Sequence, residues 1–393
     1  MATDEKTRVT GEVALPERLL LGSGPSPVPE RVLAALARPT IGHLDPAFGA
    51  RMEEMMGRLR RVMVTENRAT FAVSGTGSAG MQTMVDNFVG PGDRVVCGVN
   101  GLFGARMADA LGRRGAEVVR VEAEWGRAIE VSRLVAALDG GAAALFVVHG
   151  ETSTGVCQPL DGLGDACRDR DALLFVDCVT SLAGHPLELD AAGVDVAFSG
   201  TQKCLNCPPG LAPFTLGERA HSRLVAKSPS WYFDLQAILA YWREDTAGAP
   251  PRAYHHTAPI NMVYALYEAL GIVLEEGLPA RWERHRQAHE ALRVALEGLG
   301  LVRLAPADEA LSSLLAVTLP DGVDEAAARR GLLLDHGIEV SGGLGPLAGR
   351  VWRIGVMGIG AALEPQRRLV SGVADVFGVD GSEALAALED GWA

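Results

Sequence analysis

The sequence contains no apolar run close to the roughly 20 residues that a membrane-spanning helix requires. Its longest runs, Ala142 to Val148 and Leu173 to Val176, are short and flanked by polar residues, so they read as buried strands. The first residues, MATDEKTRVTGEV, mix charges and lack the apolar core of an export signal, which gives the expectation of a cytoplasmic protein with no membrane attachment. Cysteine is scarce. The 6 cysteines among 393 residues (Cys97, Cys157, Cys167, Cys178, Cys204 and Cys207) are too thinly spread for a disulfide scaffold and fit reduced, buried thiols. Clustered lysine and arginine are also missing. With a formal net charge of -13, this argues against a nucleic-acid partner but leaves room for a small anionic ligand in a local positive pocket. No internal repeat or low-complexity tract stands out.

What is present is enough apolar residue, 48% of the chain, to bury a large core, at a length that favours two domains over one. From about Ala69 onward short apolar runs alternate with helical patterns. ATFAV leads into a Gly-rich turn and helix, RVVCGV into a helix through Leu111, and AEVVRV into the helix Val131 to Leu138. AALFVV, the helix Asp161 to Arg168, ALLFVD and VDVAFSG continue the series. This alternation predicts an α/β fold with a mostly parallel central sheet, and near-continuous apolar strands imply helices on both faces. Beyond about Pro259 long helices over Asn261 to Glu276 and Pro279 to Leu299, with strands near Ser313 to Leu319 and Arg350 to Met357, predict a smaller α+β domain. The proline-rich segment Ala249 to Pro259 reads as an exposed connection. The expected division is an arm over 1–20, a large domain over 21–258 and a small C-terminal domain over 259–393.

In open sheets of this kind ligands gather outside the carboxyl ends of the strands. Those positions hold Ser74 to Ser78, Asn100, Glu151 to Thr154, Asp177 and Thr201 to Lys203. In FAVSGTGSAGM, Gly75, Thr76, Gly77 and Ser78 lie between a strand and a helix, where backbone N–H groups can cradle a phosphate. The same residues spell a dinucleotide-binding G-x-G-x-x-G pattern. The next strand, however, ends in Gly98-Val99-Asn100 rather than in the acidic residue that would hold a ribose hydroxyl, which disfavours a nicotinamide cofactor. Asp177 closes the buried strand LLFVD, where a carboxylate needs a cation or a donor; a protonated pyridine nitrogen and the cap of the following turn are both open readings. In SGTQKCLNCPPG, Lys203 follows a strand and a polar turn among apolar and proline residues, a setting that lowers an amine's pKa for Schiff-base chemistry. A phosphate loop, a strand-end Asp and a strand-end Lys in this order are more specific together than any one of them.

With these motifs the chain resembles the class V aminotransferases, and within them the alanine-glyoxylate and serine-pyruvate aminotransferase family. LLGSGPSPVPERV, SGTGSAGM, NGLFGAR, HGETSTGVCQPLDG, VDCVTSLAG, SGTQKCLNCPPG and YHHTAP carry the likeness, from about Leu20 to the C-terminal region. The resemblance implies a fold-type-I enzyme whose cofactor, pyridoxal 5'-phosphate, is held as a Schiff base on Lys203, which also acts as general base and acid. It implies that Asp177 keeps the pyridine nitrogen protonated, that Phe103 stacks on the cofactor ring with Val179 on the other face, and that Thr152 donates near the phenolic oxygen. The phosphate would meet Gly77, Ser78 and Gln202, with Tyr254 and Thr257 reaching in from the partner of a homodimer. Arg353, in VWRIGVMG, would hold the substrate α-carboxylate; without the resemblance it reads as a surface ion pair. Implied substrates are a small amino acid, alanine or serine, and a 2-oxo acid, glyoxylate or pyruvate, in ping-pong transamination.

Other readings have less support. Adjacent His255 and His256 carry no HxxxH or carboxylate spacing, and neighbouring side chains are expected to diverge, so no metal is expected there. Cys204 and Cys207 form a CxxC with no second thiol pair, so packing is favoured over redox or zinc chemistry. SGTGSAGMQTMVDN departs from the commoner family loop. The stretch Ser228 to Thr246, with Trp231, Tyr232, Tyr241 and Trp242, is expected to shape an unusual pocket suited to a specialised amine. DPAFGA and PDGVDEAAAR are similar to pyridoxamine-pyruvate aminotransferase, a minority alternative. No cysteine follows Cys207, which disfavours a desulfurase. A non-catalytic binding module is disfavoured because Lys203 and Asp177 are both present.

Overall fold

The alternating pattern becomes one seven-stranded sheet. Its order from one edge is Ala69–Ser74, Leu211–Leu216, Val196–Phe198, Leu173–Asp177, Ala144–Val148, Arg94–Val99 and Glu117–Glu122. The computed structural model describes residues 15–242 and 252–393. The first part of the expected N-terminal arm, residues 243–246 of the aromatic stretch and residues 249–251 of the expected connection lie outside the described residues. Every pairing in this sheet is parallel except those of Leu211–Leu216, which is antiparallel to both neighbours. In Ala144–Val148, Leu173–Asp177 and Leu211–Leu216 every residue is buried. Because successive side chains point to opposite faces, both faces are covered, as the continuous apolar runs imply.

Leu211–Leu216 has no counterpart in the strands read from the sequence. Its Pro213 argues against a central strand, since proline cannot donate to a ladder. The structure tolerates it because pairing with Val196–Phe198 involves only Phe214, Thr215 and Leu216, and Pro213 contributes only its carbonyl, accepting from Ser199 N at 2.8 Å.

The chain runs from Arg94–Val99 outward to Glu117–Glu122, then returns to the other side of Arg94–Val99 as Ala144–Val148. That reversal opens a crevice at the carboxyl ends of Arg94–Val99 and Ala144–Val148, where ligands of open α/β sheets bind. Phe103 and Thr152 follow these two strands.

A second sheet is antiparallel, in the order Val302–Arg303, Leu314–Thr318, Val351–Gly355, Ser341–Gly342. It packs with helices Leu278–Glu297, Glu325–Asp335, Leu363–Phe377 and Ser382–Trp392 around Leu292, Leu315, Trp352, Ile354 and Leu369. The helix Ile260–Glu276 packs with the first core instead, through Val263, Leu266, Leu270 and Val273, against the helix Pro46–Met63. Near the N-terminus Leu19–Leu20 pairs in parallel with Ile338–Glu339, and Leu21 joins the second core. Among the described residues no helix is long and apolar enough to cross a membrane.

Candidate active site

The crevice is a cavity lined by Thr76, Gly77, Ser78, Phe103, Arg106, Thr152, Asp177, Val179, Gln202 and Lys203, together with Met81, Val148, Gly150, Thr180 and Phe198. Strand-end and loop residues from five places in the chain meet there. Helix Gly77–Phe88 begins at the cavity with Thr76 at its N-cap and no side chain capping it, so its first N–H groups face the crevice. A Cβ on Gly77 would lie 3.0 Å from Val179 Cγ2, so the helix start and the Val179 side chain are in close approach. Gly75 is not a lining residue. It makes the preceding turn, with φ +136, and a Cβ there would lie 2.5 Å from Ala79 Cβ.

Asp177 ends its strand in register with Val148 and Phe198. Its Oδ1 accepts from Val179 N at 2.9 Å, so the turn-capping reading and the cavity-lining reading are both satisfied. Burial pushes its carboxyl up to about 7. Lys203 is 8% exposed, and burial lowers its amine to about 8. Its Nζ donates to Ser23 O, while Ser26 Oγ donates to Lys203 O at 2.6 Å and Ser26 N to Gln202 O at 2.9 Å. The segment Ser23 to Ser26 therefore straps the lysine. The sequence offered no local signal for that strap beyond its place in LLGSGPSPVPERV.

Phe103 is positioned through Glu151. This carboxylate has no exposure, and it accepts from Phe103 N at 3.0 Å, Gly104 N at 3.1 Å, Ser153 N at 3.0 Å and Ser153 Oγ at 2.6 Å. It occupies the N-terminus of helix Leu102–Arg113, whose N-cap Gly101 has no side chain to supply. Glu151 stands among the strand-end positions where ligands gather but has no role in the sequence reading, and Arg106 is absent from that reading. Arg106 is three residues after Phe103 on one helix, and its guanidinium carbon lies 4.8 Å from the Phe103 ring centroid. That i, i+3 spacing was its available signal.

Arg353 does not stand in a surface ion pair. It is 7% exposed on the strand Val351–Gly355 and donates to Gly342 O at 2.8 Å and Thr152 O at 3.3 Å. These bonds tie the second sheet to the cavity wall.

Tyr254 and Thr257 do not line this chain's cavity. Both are exposed, with their oxygens 3.5 Å apart. His255 and His256 anchor the segment between them: His256 Nε2 pairs with Ser74 Oγ at 2.6 Å, and His255 Nε2 with Trp231 O at 3.1 Å. The expectation that these neighbouring side chains diverge is overturned. Their Nδ1 atoms lie 2.8 Å apart, because the packed loop turns both rings together. None of the four aromatics named in the stretch Ser228 to Thr246 lines this chain's candidate cavity. Tyr241 and Trp242 are buried in the first core, and Trp231 and Tyr232 lie outside the cavity lining against His255 and His256. Cys204 and Cys207 are unpaired, buried thiols that burial pushes upward in pKa.

The donor set suits a small aromatic phosphate with a carbonyl and a basic ring nitrogen. Uncapped N–H groups face a phosphate, Phe103 and Val179 offer apolar surfaces, Asp177 offers an anion and Lys203 an amine. Gln202 Oε1, buried without a partner, is a further polar atom waiting for one.

A fold-type-I aminotransferase is defined by this combination of sheet, strand-end aspartate and buried lysine. Residues 19–348 match the family model described as Aminotransferase class-V, and the chain belongs to that family, whose enzymes depend on pyridoxal phosphate. It is 38% identical over 368 residues to the alanine--glyoxylate aminotransferase of Oryctolagus cuniculus, covering 92% of this chain and 93% of that one. It is 34% identical over 406 residues to the (S)-ureidoglycine--glyoxylate transaminase of Bacillus subtilis, covering 96% of each. The crystal structure of an alanine--glyoxylate aminotransferase from Nostoc sp. superposes with a TM-score of 0.91 at 45% identity, over 96% of this chain and 100% of that one.

Proposed function

We propose that this aminotransferase moves an amino group from a small amino acid, alanine or serine, to glyoxylate or pyruvate, in two half-reactions at one site. The observation that carries the reading is the buried Lys203 amine in the same cavity as Asp177 and the uncapped start of helix Gly77–Phe88. Glyoxylate is favoured as acceptor because it stands in the names of the relatives from Oryctolagus cuniculus, Bacillus subtilis and Nostoc sp. alike. Their donors differ, which keeps a specialised amine such as ureidoglycine as a second reading.

Pyridoxal phosphate, when bound, supplies an electron sink and a temporary carrier for the amino group. Gly77 N, Ser78 N and the Gln202 side chain would hold its phosphate, Phe103 and Val179 would supply the apolar walls for its ring, and Thr152 would stand near its oxygen substituent, all six residues lining the one cavity. Asp177 would meet the ring nitrogen, and a cation at that position would bring the aspartate back toward its ionised form. Lys203 Nζ is the attachment point. Its free amine would take the proton from the substrate α-carbon, a task suited to an amine lowered to about 8. Arg353 holds the α-carboxylate by its planar fork, pre-aimed by the Gly342 and Thr152 carbonyls.

Tyr254 and Thr257, exposed here, belong in this reading to the site of the second subunit of a homodimer. The six unpaired cysteines favour a reducing, cytoplasmic setting. In the same reading the chain divides into arm, large and small units, with the helix Ile260–Glu276 moving with the large one because it packs in that core.

The test is an absorbance spectrum of the purified protein before and after borohydride, with peptide mapping, followed by L-alanine, L-serine, (S)-ureidoglycine or pyridoxamine. A yellow chromophore mapped to Lys203 and bleached by alanine or serine is expected. Bleaching only by ureidoglycine or pyridoxamine would shift the donor assignment. No bound or reconstitutable chromophore would sink the reading.

A further inference from the structure

Outside the cavity, three potential ligands from separate parts of the chain converge. His149 follows the strand Ala144–Val148, Cys157 ends the strand Val156–Cys157 paired with Gly150–Glu151, and His185 closes the turn after Asp177. Cys157 Sγ lies 3.4 Å from His149 Nε2 and 3.3 Å from His185 Nε2, and all three ligand atoms fall within 4.8 Å of one another. In a tetrahedral zinc site with Zn–S of about 2.3 Å and Zn–N of about 2.0–2.1 Å, sulfur and nitrogen ligands stand about 3.6 Å apart. The Cys–His spacings already match that distance.

The outer nitrogens are held as well. His149 Nδ1 pairs with Ser181 Oγ at 2.9 Å and His185 Nδ1 with Ser312 Oγ at 3.1 Å, which turns both Nε2 atoms toward the sulfur. Ser312 N donates to His185 Nδ1 at 3.3 Å, so coordination at Nε2 would exchange that long bond for one from Nδ1–H to Ser312 Oγ, which lies nearer at 3.1 Å. The cluster borders an open cavity that Asp161, Glu188 and Asp308 also line, which leaves room for water or a carboxylate as a fourth ligand.

We propose that His149 Nε2, Cys157 Sγ and His185 Nε2 form a binding site for a borderline-soft divalent cation of the zinc type, separate from the aminotransferase centre. Binding releases the thiol proton to solvent and forms one metal–sulfur and two metal–nitrogen bonds, with no redox change. The ion would fasten the loop through Gly150 and Thr152 to the turn through Thr180, both of which wall the active-site cavity. None of the zinc spacings sought in the sequence applies, because the ligands are adjacent only after folding.

The test uses untagged, cofactor-loaded full chain stripped with a chelator, then titrated with zinc against a chromophoric chelator and separately with cobalt. One zinc per chain is expected, with a sulfur-to-cobalt charge-transfer band that disappears in Cys157→Ser. His185→Gln should weaken zinc affinity at least about 100-fold. Both variants should keep transaminase activity, which also reports that they fold. In the unaltered protein zinc should slow alkylation of Cys157, mapped by mass, so the idea is tested even if a variant misfolds. Absent stoichiometric binding, equal binding by Cys157→Ser, or no protection of Cys157 would each overturn it.

Discussion

Gly24 and Lys203 touch in a way that a larger residue at position 24 would prevent: a Cβ there would lie 2.7 Å from Lys203 Nζ and 2.8 Å from its Cδ. Gly24 also has φ +111, a backbone conformation that L side chains rarely adopt. The strap Ser23 to Ser26 thus sets the position of the reactive amine through the Ser23 carbonyl and the Gly24 backbone, with Ser26 Oγ holding the lysine's own carbonyl.

Gly24→Ala is therefore expected to lower stability by about 1–3 kcal/mol from strain and to displace the lysine. Cofactor affinity should fall at least about tenfold, about 1.4 kcal/mol in binding. Denaturant unfolding and a cofactor titration measure the two effects. Unchanged cofactor affinity would show that the strap does not aim Lys203.

The Lys203 amine, lowered to about 8 by burial, titrates near 10.4 in an unfolded chain. Between these values the unfolded state binds more protons, so stability conferred at this position rises as pH climbs through the window and is lowest below it. Cofactor-free protein should be less stable than Lys203→Met below about pH 8, and the gap should close toward about pH 10.5. Lys6 and Lys227 are the chain's other lysines, so amine labelling with peptide mapping can follow Lys203 by itself.

Asp177→Asn keeps an oxygen for Val179 N and removes the charge. Turnover should drop by about 10²–10³, with cofactor affinity changing far less. Single-turnover rates and a binding titration separate the two. Equal losses in both would make Asp177 a structural cap.

Arg353→Lys retains a cation but not a planar fork, so the substrate concentration for half-maximal rate should rise about 10–100-fold, equivalent to about 1.4–2.8 kcal/mol. A fall in kcat alone would contradict a carboxylate-binding role.

Glu151→Gln places an amide NH2 where one carboxylate oxygen now accepts two donors, whether the Phe103 and Gly104 pair or the two from Ser153. A loss of about 2–4 kcal/mol in stability is expected. A changed near-ultraviolet circular dichroism signal from Phe103 and the cofactor would accompany it.

The sheet was legible because its strands are continuous apolar runs, and a run such as LLFVD can be buried in few other ways. The strands Arg94–Val99 and Leu173–Asp177 fall where RVVCGV and ALLFVD place them. Leu211–Leu216 was not legible: the proline that argues against it is acceptable only because of where a neighbouring strand stops. In the site, Asp177 ends a strand, and Gly77 and Lys203 lie just beyond the turns that follow strands, which is where the sequence pointed. Glu151 and the Ser23 strap act through backbone contacts with residues far along the chain, which no local pattern records.

The sequence by itself determined the class of fold, the family and the positions at strand ends, since periodicity and local turn chemistry are properties of neighbouring residues. Only the tertiary structure decided that Gly24 packs on Lys203, that Arg353 is buried beside Thr152, and that His149, Cys157 and His185 face one another. Those relationships depend on the relative placement of sheet, strap and second core, which is set by packing over the whole chain.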